Sequence, residues 1–115
     1  MVWSQGFYLK SKKKISDGRY LTNVTLEGGT GRASVKSPAE ITVKNGKIYA
    51  TIEWSSSFYD YMIVNGKKYL NKGKKNSVFK IPVEDLDEKL AVVADTTAMS
   101  KPHEIEYTLL FEITK

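Results

Sequence analysis

The feature of this sequence that most constrains its fold is a series of short alternating segments, separated by turn signals every eight to twelve residues. Two of the turns are the Asn-Gly pairs Asn45-Gly46 and Asn65-Gly66. Asn-Gly favours a two-residue hairpin turn, because both central residues of a type I′ turn take positive φ. No window shows a sustained helical period. The pattern predicts an all-β fold, an immunoglobulin-like antiparallel β-sandwich of seven to eight strands.

The expected strands span residues 19–26, 40–44, 47–54, 59–64, 67–70, 78–83, 90–95 and 103–113. Residues 32–36 are expected to form a short strand or a helical turn. Pro82 has no backbone N–H, so its strand is expected at a sheet edge or at the limit of its pairing. The 115 residues fit one domain, with 1–16 as a leading segment and 17–114 as the sandwich.

Composition argues against several classes of function. The chain has no cysteine, one histidine and no Gly-x-Ser-x-Gly motif, so it offers no nucleophile–base pair and we expect no enzymatic activity. The net charge of +5 comes mostly from lysine, whereas base readers favour arginine, so we expect no nucleic-acid partner. No run approaches the roughly 20 apolar residues of a membrane span, and no membrane insertion is expected.

The last expected strand carries the most information about a binding site. Alternation places six side chains on one face, and we expect this face to point to the core: His103, Ile105, Tyr107, Leu109, Phe111 and Ile113. His103 is the only histidine of the chain. Tyr107 follows four residues later on the same side, about 13 Å away at a rise of roughly 3.3 Å per residue.

Two methionines besides Met1 lie near the same region of the sequence, Met62 in an aromatic strand and Met99 in the loop before the last strand. Methionine, histidine and tyrosinate all serve as axial ligands of haem iron. Nearby aromatic residues could form the walls of a haem pocket: Trp54, Phe58, Tyr59, Tyr61 and Tyr107. The alternative also stands, that the methionines fill the core and the histidine is a surface residue.

Four stretches of the sequence together resemble the NEAT (near iron transporter) family over roughly residues 15–114. They are Asp17-Gly18-Arg19-Tyr20, the block from Pro38 to Lys47, the turn Val64-Asn65-Gly66-Lys67-Lys68, and the ending Tyr107-Thr108-Leu109-Leu110-Phe111-Glu112. The fragments Tyr59-Asp60-Tyr61-Met62 and Asp95-Thr96-Thr97-Ala98-Met99-Ser100 are more similar to its Shp-type branch and clostridial relatives. The resemblance implies an immunoglobulin-like sandwich that binds haem.

The resemblance also implies roles for single residues. NEAT haem binders end with Tyr-x-x-x-Tyr, whose first tyrosine ligates iron; here Tyr107 matches the second tyrosine and His103 stands at the ligating position. Shp-type domains use two methionines, a part that Met62 and Met99 could play. The family's lip, a short helical turn over the haem, corresponds to about residues 29–38. It would contribute four residues, of which Arg32 could pair with a propionate: Arg32, Ala33, Ser34 and Val35.

Three states of the site therefore remain open. In order of preference, they are Met99 with Met62 as axial pair, His103 with one methionine, and a domain without haem.

The resemblance implies a Gram-positive cell-surface module that captures haem and relays it toward an importer. Its partners would be haem and another haem-relay protein or an ABC-transporter binding protein. The alternative is a cofactor-free surface module that binds a host haemoprotein or another protein. We expect a monomer outside the cell, with signal and anchor elsewhere in a parent protein.

Overall fold

Eight antiparallel strands form the protein in the computed structural model, which describes residues 15–29, 33–97 and 103–113. In chain order they are β1 (Gly18–Gly28), β2 (Ala39–Lys44), β3 (Lys47–Glu53), β4 (Tyr59–Val64), β5 (Lys67–Leu70), β6 (Val78–Val83), β7 (Lys89–Thr96) and β8 (His103–Ile113). Each expected strand is present, with boundaries shifted by no more than two residues. The described part of the expected element at 32–36 contributes a single β-bridge, between Val35 and Trp54.

The strands follow the order β5-β4-β7-β8-β1-β2-β3-β6, and β1 joins the two layers of the sandwich. The first half of β1, from Gly18 to Thr22, pairs with β2. Its second half, from Thr22 to Gly28, pairs with β8. The edge strands β5 and β6 approach each other, so the sheet is nearly closed. The expected all-β, immunoglobulin-like sandwich is confirmed.

Local chemistry explains where the strands turn and where the sheet ends. Asn45 and Gly46 take φ of 53° and 77°, and Asn65 and Gly66 take 51° and 78°, as type I′ turns require. Pro82 lies in β6, at one edge of the sheet, which confirms the expectation drawn from its missing N–H.

The core lies between the two layers and is built by period-two alternation. In β8, Tyr107, Leu109 and Phe111 are buried, whereas the intervening side chains are exposed or half-buried. Each large apolar side chain buried in this way contributes roughly 1.5–3 kcal/mol of transfer free energy. None of the described residues forms a helix that is long and apolar enough to cross a membrane.

Candidate functional site

The candidate site lies at the end of the sandwich that contains Tyr59, the end of β7 and the start of β8. Strand pairing aligns Tyr59, Thr96 and His103 across β4, β7 and β8 at this end. The β1–β2 connection reaches the same end through the bridge between Val35 and Trp54. We call this region the mouth; its described residues are 33–35, 54–59, 96–97 and 103–107.

Three aromatic side chains form the floor of the mouth. The hydroxyl groups of Tyr59 and Tyr107 are hydrogen-bonded at 3.0 Å in a buried environment. Trp54 stacks on Tyr59 with ring centroids 4.2 Å apart and lies tilted against Tyr107 at 5.1 Å. The pKa of Tyr59 is raised well above its usual value, mainly by burial and next by the hydrogen bond to Tyr107. Tyr59 is therefore a neutral phenol at physiological pH.

The backbone of two glycines lies against the ring of Tyr107. Gly28 and Gly29 both have positive φ, of 119° and 65°. A Cβ on Gly29 would lie 3.0 Å from Cε1 of Tyr107 and 3.2 Å from its hydroxyl oxygen. Glycine is required here because the backbone lies directly against the ring. Only 4% of Tyr107 remains exposed.

The described part of the lip is extended, not the helical turn that the resemblance implied. Ser34 accepts a hydrogen bond from the backbone N–H of Ser55 at 2.9 Å, and Lys36 donates one to the carbonyl of Glu53 at 2.8 Å. These bonds align the lip antiparallel to the end of β3 and keep its backbone extended. Val35 is half-buried and Ser34 is exposed. Arg32 lies outside the described residues, so its expected role stays a prediction.

The rim of the mouth carries one imidazole and one exposed aromatic ring. His103 is exposed at the first position of β8, on the strand face that also carries Ile105 and Tyr107. Phe58 is 51% exposed, and its carbonyl accepts hydrogen bonds from the backbone N–H and the hydroxyl of Thr97 at 2.7 and 3.1 Å. These bonds fasten the start of β4 to the end of β7. Met99 lies outside the described residues.

The structure does not bring Met62 to the mouth. Its side chain has no exposed surface and belongs to the hydrophobic core. In β4 it pairs with Ala94 on one side and Tyr69 on the other. An inward position in a central strand explains this burial, which agrees with the core-filling alternative.

Tyr61 lies on the face of the sheet opposite to Tyr59. The β4–β7 register shifts between these residues, since Tyr59 pairs with Thr96 and Tyr61 pairs with Asp95. The extra residue of this β-bulge reverses the alternation that would have placed both rings on one wall. Tyr61 instead donates a hydrogen bond to Glu104, which together with burial raises its pKa to about 12.

A buried carboxyl group lies on the same outer face. Asp95 is 3% exposed. Burial is the largest cause that raises its pKa, followed by a hydrogen bond and charge repulsion with Asp60, whereas Lys68 acts in the opposite direction. Among the described residues, no group of three or more His, Cys, Asp or Glu side chains is placed to hold a metal ion.

Sequence reasoning underestimated two features of the site. Trp54 entered the expectations only as one of several possible walls, yet it contacts both Tyr59 and Tyr107. Its Nε1–H is buried without a hydrogen-bond acceptor among the described residues. Gly28 and Gly29 pack on Tyr107, and a glycine pair at the end of an alternating strand is the sequence signal for such a close contact.

Comparison with solved structures identifies the fold. The structure is similar to the NEAT5 domain of IsdX2, a B. anthracis hemophore, in complex with heme, with a TM-score of 0.69 and 23% identity over 87% of this chain and 99% of that chain. A mutant of IsdX2-NEAT5 in complex with heme gives a TM-score of 0.72 at 22% identity, over 88% of this chain and 99% of that chain. No protein-family model and no curated protein sequence matches the chain. The fold is that of NEAT domains, as the sequence resemblance implied.

Proposed function

We propose that this domain binds haem at the mouth and serves in haem acquisition. The observation that carries the proposal is the aromatic floor around Tyr107, set between the lip and the β8 strand and four residues from His103. Two solved structures of similar fold, of the IsdX2 NEAT5 domain and of its mutant, are complexes with heme.

The residues present fit a flat apolar ligand with polar edges. Val35 and Ile105 are half-buried beside the core, and Phe58 is half-exposed at the rim. These side chains offer apolar surface that a planar macrocycle would cover. The Nε1–H of Trp54 is a buried donor without an acceptor among the described residues, so the region retains one unused hydrogen-bonding group.

Each part of the mouth has a distinct role in this proposal. Phe58, Val35 and Ile105 form the walls, while Tyr59 and Tyr107 keep the floor rigid. The iron ligand comes from His103 or Met99, of which His103 is on the described surface of the mouth. Bound haem supplies an iron centre whose redox potential depends on the axial ligands. Ser34 and Arg32 are the candidates for contact with a propionate.

Titration of the apo-protein with ferric and ferrous haem tests the proposal, with the Soret band as readout. Wild type should show a saturable Soret shift in at least one redox state. Tyr49→Phe is the matched control, because Tyr49 pairs with Thr42 and Pro82 away from the mouth and its loss should leave the shift unchanged. A folded protein without a Soret shift in either state would contradict haem binding and favour the cofactor-free surface module.

Separate variants distinguish the candidate ligands. Met99→Ala and His103→Ala test the two candidates through the absorption spectrum of the haem complex. Met62→Leu is the control, because it keeps the apolar volume of the core and should leave the spectrum unchanged. A ligand is identified when its variant alone abolishes the axial-ligand bands of the wild-type complex.

We also propose that the domain acts outside the cell as a monomer, in a parent protein that is anchored to the cell surface and passes haem toward an importer. The NEAT5 domain of similar fold belongs to a hemophore. Release of haem to apomyoglobin, followed by the Soret band, measures whether the domain gives up its ligand. Retention of all haem over hours would argue against a relay, and sedimentation of a dimer would argue against the monomer.

A further inference from the structure

We infer that Ser77 is a positioning residue for the mouth, because its buried side-chain oxygen fixes the peptide group between Phe58 and Tyr59 and thereby sets how long haem is retained. Ser77 lies outside the mouth, one residue before β6, and its side chain has no exposed surface. The inference rests on the proposed function. It adds a residue that acts on haem through the wall and the floor of the mouth without touching the ligand.

The peptide group between Phe58 and Tyr59 is held from both sides. The carbonyl oxygen of Phe58 accepts hydrogen bonds from the backbone N–H and the hydroxyl of Thr97 at 2.7 and 3.1 Å. The N–H of Tyr59 donates to Oγ of Ser77 at 3.0 Å in a buried environment. The end of β7 therefore fixes one side of this peptide group, and Ser77 fixes the other. Rotation of the group would break hydrogen bonds on both sides.

The β4–β5 ladder stops before it reaches Tyr59, since its last pair joins Tyr61 to Leu70. On the other side of β4, the register with β7 shifts between Tyr59 and Tyr61. A buried backbone N–H that finds no acceptor costs free energy comparable to that of a lost hydrogen bond. Oγ of Ser77 provides the acceptor at the point where β5 does not reach.

The backbone of Ser77 makes two further contacts with the segment that leads into β4. Its N–H donates to the carbonyl of Ser56 at 2.9 Å, and its carbonyl accepts the N–H of Trp54 at 2.9 Å. Both bonds use main-chain atoms, so alanine at position 77 keeps them and removes only the acceptor of the Tyr59 N–H. The substitution therefore separates the positioning of the peptide group from the attachment of β6 to the rim.

The fixed peptide group determines the direction of two aromatic side chains. Phe58 precedes it at the exposed rim, and Tyr59 follows it in the buried floor. Rotation of the group would move the Phe58 ring out of the apolar wall and tilt the floor below it. The candidate iron ligands His103 and Met99 lie in other parts of the chain. Loss of the Ser77 oxygen should therefore shorten haem retention and leave the axial-ligand bands unchanged.

Release of haem to apomyoglobin, followed by the Soret band, tests the inference in wild type, Ser77→Ala and Thr22→Val. Thr22→Val is the matched control, because it also removes a fully buried hydroxyl, which donates to the carbonyl of Ala39 outside the mouth. Ser77→Ala should release haem about three- to tenfold faster than wild type, the net contribution of one hydrogen bond expressed as a ratio of rates. Thr22→Val should stay within about twofold of wild type.

Two further measurements support the test. Ser77→Cys has a side chain of similar size with a weak acceptor, so its release rate should lie between those of wild type and Ser77→Ala, and it carries the test if Ser77→Ala does not fold. Hydrogen exchange of the apo-protein needs no haem. The amide of Tyr59 should lose protection in Ser77→Ala, whereas the amide of Trp54, which is bonded to the main chain of residue 77, should keep it.

Three results would overturn the inference while leaving haem binding intact. The first is equal release of haem from the Ser77 variant and from Thr22→Val. The second is loss of the wild-type ligand bands in Ser77→Ala, because Ser77 would then act on the iron ligand. The third is unchanged protection of the Tyr59 amide in Ser77→Ala. A wild type without a Soret shift would instead contradict the proposed function itself, which is a distinguishable outcome.

Discussion

Alanine at Gly28 should destabilise the protein by more than the usual cost of alanine at positive φ. Gly28 ends β1 and pairs with Tyr107 of β8. A Cβ at this position would lie 2.6 Å from the carbonyl oxygen of Glu106 and 3.0 Å from Cα of Tyr107. Both are backbone atoms of a central strand, so the clash is relieved only if β1 separates from β8.

Gly46→Ala provides the matched control for the magnitude. Gly46 also has positive φ, 77°, but a Cβ there would meet nothing within 4 Å. The left-handed backbone at Gly46 costs an alanine about 1–2 kcal/mol, and the φ of 119° at Gly28 costs at least as much. The loss of unfolded-state entropy returns about 0.4–1 kcal/mol in both variants. Overpacking adds about 1–3 kcal/mol at Gly28 alone. The free energy of unfolding should therefore fall by at least about 1–3 kcal/mol more for Gly28→Ala than for Gly46→Ala.

Urea unfolding of the apo-protein, followed by tryptophan fluorescence, measures this difference by linear extrapolation. Gly29→Ala should fall between the two variants, because its Cβ would meet the side chain of Tyr107, which can shift more easily than backbone. Losses equal within about 0.5 kcal/mol for Gly28→Ala and Gly46→Ala would refute the close approach of β1 and β8 that covers Tyr107.

Three further predictions concern the floor, the outer face and the core. Tyr59→Phe and Tyr107→Phe should each cost about 1–3 kcal/mol by leaving a buried hydroxyl unpaired, and the double variant should cost less than their sum in a double-mutant cycle. The raised pKa of Asp95 means that its protonated form stabilises the fold below the ordinary pKa of about 3.9, and that this stability is lost as pH rises through the raised pKa. Asp95→Asn should therefore be more stable than wild type at pH 7 and lose that advantage near pH 3. Asp60→Asn should behave in the same way. A difference in the free energy of unfolding that stays constant across this pH range would contradict the prediction. Met62→Ala should cost about 2–5 kcal/mol in thermal or urea unfolding, whereas Met62→Leu should cost under about 1.5 kcal/mol.

Strand positions could be predicted from the sequence because local chemistry decides them. The turns at Asn45-Gly46 and Asn65-Gly66 depend on residues that tolerate positive φ, and such residues are visible in the sequence. The edge position of β6 depends on the missing N–H of Pro82. The inward face of β8 follows from period-two alternation, which places Tyr107 in the core.

The site was harder to predict because it depends on contacts between distant strands. Alternation places a methionine inside or outside, but it does not reveal whether an inward sulfur lines a cavity or fills the core, and Met62 fills the core. The glycine pair at positions 28 and 29 suits a flexible loop as well as a close backbone contact. Only the pairing of β1 with β8 shows that it packs on Tyr107.

The bulge in β4 decides which phenols the mouth can offer to a ligand. Without the shift at Asp60, strict alternation from the buried Met62 would place Tyr59 on the outer face together with Tyr61. With the shift, Tyr59 turns inward and its hydroxyl group is hydrogen-bonded to that of Tyr107, whereas Tyr61 stays on the outer face and donates a hydrogen bond to Glu104. One extra residue thus brings a phenol into the floor of the mouth and leaves the other beside the carboxylate that follows His103. The chemistry of the mouth is set by strand register as much as by the residues of the last strand.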